Sequence, residues 1–234
     1  MKVGVIQSNY IPWRGYFDFI SSVDVFVIYD DVQYSKGSWR NRNQLLFREG
    51  LKWLTLPVQV NLGMNINEVK LKGKDWRKQH HEQLTRSLGN APFFKEAIRL
   101  WENGISPDYG YLTDVNINLI NTICDYLGIK TRIVRSEPFA LSGTKTERLM
   151  DLFKKTGATS YLSGPSAESY LDLELFRKNR ISLYFKRYEY PVYPQQFGEF
   201  RPAVSILDLI ANKGRDAVNF YKSLADDEPK FIRE

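Results

Sequence analysis

The chain holds one cysteine, two histidines and three methionines in 234 residues. A single thiol, Cys124, excludes an intramolecular disulfide and any cysteine-built metal cluster. It sits among apolar residues in a helical pattern, the setting of an inert buried thiol. Such low cysteine use fits a reducing cytoplasm, the expected location. The two histidines are neighbours, His80 and His81. On a helix they point about 100° apart and cannot chelate one metal together. No run approaches the ~18–20 apolar residues that cross a bilayer. The sequence enters a strand at once, leaving no secretory leader in view. No block of five like charges occurs, although 33 basic and 27 acidic residues give a net charge of +6. Interspersed charge of this kind favours a small phosphorylated partner over a dedicated nucleic-acid surface. The strained Gly-x-Ser-x-Gly elbow of a serine hydrolase is absent as well.

What remains is an ordinary globular composition, 43% apolar and 26% charged, with a high aromatic share of 14%. The length suits one domain with one sizeable core. Runs with β-branched residues at 2–6, uncharged after Lys2, and at 25–29 read as buried strands, and apolar residues at Phe17, Ile20 and Val23 between them keep helical spacing. Residues 33–50 are polar and read as a loop. Further strands are expected at 53–58, 66–71, 131–134, 160–163 and 181–185. Helices are expected at 76–88, 93–101, 111–127, 145–156, 173–179, 204–210 and 216–224, with Asp75 as an N-cap and Gly89, Gly128 and Gly157 as stops. The tail from residue 225 is charged and expected to fray. Alternating strands and helices predict a three-layer α/β domain over residues 1–234. Its sheet is expected to be mostly parallel and Rossmann-like, with a mainly helical insertion at about 59–110.

Sites in such sheets form at the carboxyl ends of adjacent strands. Six constellations fall at such places or on nearby loops. After the first strand come Gln7, Asn9, Tyr10, Trp13 and Tyr16, around a Pro12–Gly15 turn that could cradle a phosphate or simply plug the sheet edge with aromatics. Amides there are costly unless paired. After the second strand comes Asp30-Asp31, of which one could face the crevice as a base or an ammonium partner. Two carboxylates without a third spaced ligand define no metal site. The loop with Lys36, Trp39, Arg40, Asn41, Arg42 and Asn43 offers cations for a diphosphate and an indole for stacking, or is a solvated basic loop. His80 shares a helical face with Trp76 and is either an acid–base group or a structural histidine. Ser163-Gly164-Pro165-Ser166 brings hydroxyls and amides to another strand end, and Gln195 stands in a polar loop before a helix.

Together these blocks resemble the WbqC-like protein family of bacteria. The likeness rests on Gln7-x-Asn9-Tyr10-Ile11-Pro12-Trp13-x-Gly15-Tyr16-Phe17, Asp30-Asp31-Val32-Gln33, Asn41-Arg42-Asn43 and Trp76 with His80. It continues through Ala91-Pro92-Phe93-Phe94, Tyr161-Leu162-Ser163-Gly164, Tyr190-Pro191-x-Tyr193-x-Gln195 and Ser205-Ile206-Leu207-Asp208. Ser8 stands where the family typically has proline, and Leu88 where an aromatic often sits. The resemblance implies an enzyme of surface-polysaccharide (O-antigen) biosynthesis that attaches an acyl or aminoacyl group, such as glycine, to an amino sugar.

The resemblance implies an N-acyltransferase acting on an amino sugar, and the basic and aromatic residue types suit a nucleotide-linked one. In it His80 is the base and Asp30 orients it or the ammonium, while Gln7, Asn9, Tyr10, Trp13, Tyr16, Asp31, Lys36, Trp39, Asn41, Arg42, Ser163, Gly164, Ser166 and Gln195 bind substrate. No metal is expected. The donor stays open among an acyl-thioester, an aminoacyl-tRNA and an ATP-derived adenylate. Two rival functions stay open as well: a nucleotidyl- or adenylyl-type transferase using the Pro12–Gly15 turn, and a non-catalytic carbohydrate-binding protein.

Overall fold

Continuous burial of Val25-Phe26-Val27-Ile28 marks a strand with both faces covered, the expectation for a parallel sheet. In the computed structural model, which describes residues 1–233, that strand is second in a chain of elements. They run β1 (Lys2–Ile6), α1 (Arg14–Ser21), β2 (Val25–Ile28), β3 (Arg42–Phe47), β4 (Gly50–Thr55), β5 (Val58–Gln59) and β6 (Lys70–Leu71). Then follow α2 (Trp76–Leu88), α3 (Phe94–Ile105), α4 (Leu112–Leu127), β7 (Arg132–Arg135), α5 (Lys145–Thr156) and β8 (Ser160–Ser163). The chain closes with α6 (Leu173–Lys178), β9 (Ser182–Phe185), α7 (Ile206–Lys213) and β10 (Glu228–Phe231).

Six strands form the central sheet in the order β10-β9-β8-β1-β2-β7. All neighbours are parallel except β10, which runs antiparallel to β9. Period-two alternation sends Phe26 and Ile28 into one apolar cluster with Phe17, Phe19 and Ile20 of α1 and Leu119 and Ile123 of α4. It sends Val25 and Val27 into a second cluster with Leu152 and Phe153 of α5 and Phe176 of α6. The result is a mixed α/β fold with a mostly parallel central sheet, compatible with three layers. Close approach of α1 depends on Gly4, where a Cβ would come within 2.4 Å of the Phe19 ring.

Several local expectations are corrected. The polar stretch 33–50 contains β3, which pairs with β4 from Arg42 opposite Thr55 to Phe47 opposite Gly50. Arg42, Asn43 and Gln44 hide its alternation, because Asn43 is buried as a paired amide rather than as an apolar side chain. The expected 53–58 strand breaks at Pro57, which has no ladder donor, leaving β4 and the two-residue β5. The expected 66–71 strand is a short 3-10 turn followed by β6. Asp75 does stand at the N-cap of α2, but with helical backbone angles and no side-chain cap bond. The final helix is a 3-10 segment, Gly214–Asn219, and the tail supplies β10 instead of fraying. Residues 59–110 hold α2 and α3, whose Trp76, Leu84, Ile98 and Trp101 join the first cluster.

Candidate functional site

The sheet reverses direction beside β1: the chain moves outward through β2 to β7, then returns to the other side of β1 as β8. Crevices at such reversals bind ligands in open α/β sheets. Here the carboxyl ends of β1 and β2 and the first turn of α5 wall a cavity of about 790 Å³. That size suits a small-molecule ligand. Gln7, Tyr29, Asp31, Lys145, Arg148 and Tyr170 are its main polar and aromatic walls.

Alternation decides which carboxylate arrives there. Asp31 lines the cavity, accepting from Ser136 Oγ and, at 2.6 Å, from Arg148 Nη2. Arg148 also donates to Leu141 O at 2.8 Å and lies over the Tyr29 ring. Burial raises the Tyr29 phenol. Gln7 Oε1 accepts from Arg40 Nη1 at 3.1 Å, and burial lowers the Arg40 guanidinium. At the start of α5, Gly143 (φ 79°) and Lys145 (φ 47°) both have left-handed backbone. For lysine that conformation is costly, and such strain collects at functional sites. Thr144 occupies the N-cap with no side-chain bond to the helix, and the first turn of α5, which carries a partial positive charge, borders the cavity.

Asp30 points to the opposite side and is buried. It accepts from Ser8 N at 2.8 Å, Ser8 Oγ at 2.6 Å and Thr113 Oγ1 at 2.5 Å, tying β1, β2 and α4 together. His80 is not brought to the cavity either. It is 3% exposed, and its Nε2 lies 3.1 Å from Thr55 O. A carbonyl only accepts, so Nε2 carries the proton and Nδ1 accepts from Tyr10 Oη, 2.9 Å away. Trp101 Nε1 completes the chain by donating to Tyr10 Oη at 2.9 Å. Burial pushes the imidazole down to about 4 and raises the Tyr10 phenol. A neutral ring with both nitrogens engaged has the geometry of a structural histidine.

The turn after β1 is also closed. The Trp13 indole folds onto α1 so tightly that a Cβ on Gly15 would come within 2.3 Å of it. An aromatic ring, rather than open amides, covers the start of that helix. Ile11 is held at φ 35°, and Asn43 Nδ2 grips the carbonyls of Tyr10 and Ile11 at 3.1 and 2.7 Å. Tyr16 is buried and donates to Gln7 O at 3.1 Å.

The remaining expected residues divide among four places. Asn9, Trp13 and Trp39 border a cavity of about 300 Å³. Trp39 is partly exposed against Trp53, their rings 5.0 Å apart. Lys36, Asn41 and Arg42 border a different cavity of about 670 Å³. Ser163 is buried beside Tyr161 Oη, while Gly164 and Ser166 lie on the turn above. Gln195 is taken up internally, donating to Asp208 Oδ1 at 2.9 Å and to Arg201 O at 3.1 Å. Tyr193 Oη donates to the same Asp208 oxygen at 2.9 Å, and burial raises that carboxyl to about 6.

The model of the WbqC-like protein family matches residues 7–220. The chain belongs to the WbqC-like protein family. It is 45% identical over 226 residues to a Mycobacterium tuberculosis protein named "Uncharacterized protein Rv1507c", covering 94% of this chain and 97% of that protein. No solved structure matches the chain.

In this WbqC-like chain Tyr29, Lys145 and Arg148 are polar or aromatic cavity residues to which the sequence reading assigned no site role, and Tyr170 is the far end of the block that begins at Tyr161. A signal for two of them was present: Ser142-Gly143-Thr144 stands before a helix that follows a strand, a place where amides and cations meet anions. Among the described residues no cluster of three His, Cys, Asp or Glu side chains could hold a metal ion. Among them, too, no helix is long and apolar enough to cross a membrane.

Proposed function

We propose that the protein is a cytoplasmic N-acyltransferase that forms an amide on a nucleotide-linked amino sugar in surface-polysaccharide biosynthesis. The observation that carries this reading is the cavity at the β1 reversal, walled by Lys145, Arg148 and the first turn of α5. Two cations and a helix N-terminus suit a diphosphate, and Tyr29 and Tyr170 offer faces for a base or sugar. Counted in chain order, the six main strands follow 3-2-1-4-5-6, the order of a Rossmann-like sheet, which supports a nucleotide in that crevice.

Asp31 takes the place that sequence reasoning gave to His80 and Asp30. It is a carboxylate on the cavity wall, already poised against a cation. In the proposed reaction it holds the sugar ammonium, which gives its first proton to solvent to free the nitrogen lone pair, and it accepts the second proton as nitrogen attacks the acyl carbon. The new C–N bond forms, the bond to the donor's leaving group breaks, and the leaving group takes up a proton. His80, Tyr10 and Asp30 hold the frame.

Calorimetry with a panel of nucleoside diphosphates tests the site. One of them is expected to bind, and Arg148→Ala to weaken it about tenfold or more, the value of a charge-assisted hydrogen bond. Incubation of an amino-sugar nucleotide with activated acyl donors, followed by mass spectrometry, tests the chemistry. An added acyl mass that disappears in Asp31→Asn is expected; no acyl mass with any donor would overturn the enzyme reading.

A further inference from the structure

Gln33 lines the cavity at the β1 reversal and also borders the cavity of about 670 Å³. The loop with Lys36 and Arg42 therefore does not reach into the first cavity but walls a neighbour that shares one residue with it. The floor of this second cavity is firmly built. Tyr34 Oη donates to Asn41 Oδ1 and Asn41 Nδ2 donates to Leu56 O, each at 2.8 Å. On one side stand Lys36 and Arg42, and no residue lining the cavity is acidic. The Arg42 guanidinium lies 4.0 Å from the Trp53 ring centroid and donates through Nη2 to Gly37 O, while its Nε is buried without a partner. Val58, Val60 and Leu62 form an apolar side, and Leu62 at the loop tip is wholly exposed. Two cations with no acidic neighbour in the lining, facing an uncovered apolar wall, fit a molecule with a phosphate at one end and a largely apolar arm at the other.

We propose that this cavity is the donor site and takes a phosphopantetheine-type acyl-thioester. Its phosphate meets Lys36 and Arg42, and its arm runs along Val58, Val60 and Leu62 toward Gln33. The inference rests on the transferase reading and adds the class of donor. The amine nitrogen bonds to the thioester carbon, the C–S bond breaks, and the proton lost from nitrogen passes through Asp31 to the departing thiolate. An adenylate donor would leave the apolar side without a role. A tRNA donor would need a basic surface wider than these two cations.

Calorimetry with coenzyme A and with free 4′-phosphopantetheine tests the site, with a nucleoside diphosphate present at saturation. Lys36→Glu and Leu62→Asp alter exposed side chains and leave the core intact. One equivalent of coenzyme A is expected to bind. Lys36→Glu should weaken it about tenfold or more and Leu62→Asp should weaken it too, while Arg148→Ala leaves it unchanged. Binding of 4′-phosphopantetheine with exclusion of coenzyme A would support the same site and identify a carrier protein as the source. Binding of neither, competition with the nucleoside diphosphate, or indifference to both loop variants would overturn the proposal. Coenzyme A bound as expected in a protein that takes no nucleoside diphosphate would keep the second site and remove the transferase reading.

Discussion

The hydroxyl of Tyr10 sits 2.9 Å from Nδ1 of His80, with both side chains sealed in the core. Each is satisfied through the other, so removing the imidazole leaves a cavity and a stranded phenol. His80→Ala is expected to cost about 3 kcal/mol in chemical denaturation. Its loss of activity should track its loss of folded protein.

The same histidine sets a pH dependence. Unfolded, it takes a proton near 6.5; folded, it resists until about 4. Between these values the unfolded state binds more protons, so acid favours unfolding. From pH 6.5 down to 4 the native protein should lose roughly 3 kcal/mol relative to His80→Gln, which has no such titration. Parallel stability curves for the two proteins across that range would refute this.

Asp208 works in the opposite sense. Burial raises its carboxyl from an ordinary 3.8 to about 6, so between these values the folded state binds more protons. Its contribution is complete below pH 4 and is lost as pH rises through 6. Asparagine can still accept from Tyr193 and Gln195 but does not titrate. The cost of Asp208→Asn should therefore shrink by roughly 3 kcal/mol between pH 4 and pH 7, read from urea midpoints.

Asp30 should behave as a structural knot. Asp30→Ala strands the Ser8 amide and the Thr113 hydroxyl where three elements meet, at an expected cost of about 3 kcal/mol or more. Unchanged stability in this variant would show that the knot carries no weight.

The sequence signals that survived were those written in apolar periodicity. Continuous burial named β2, and the stripe from Leu112 to Leu127 named α4. β3 escaped because its first residues are polar and its inward side chain is an amide, and β10 because a charged edge strand resembles a loose tail. The candidate site was half legible. Gln7 and Asp31 follow strand ends, where polar residues are conspicuous. Lys145 and Arg148 open a helix more than a hundred residues later, and no spacing rule joins them to Asp31 before the sheet is folded. His80 misled because a histidine's chemistry is visible in sequence, whereas its burial against Tyr10 is set by tertiary packing alone.

The left-handed Ile11 is gripped by Asn43, 32 residues further on. A branched side chain in that backbone region is disfavoured by about 1–3 kcal/mol, so the chain nearby does not hold the bend by itself. The corner joining the first strand to the first helix is thus held in part by the β3–β4 hairpin that docks on it. The N-terminal β-α-β unit, contiguous in sequence, therefore draws part of its stability from a segment made after it, and a fragment ending before that hairpin is expected to be less stable than the same unit in the whole chain.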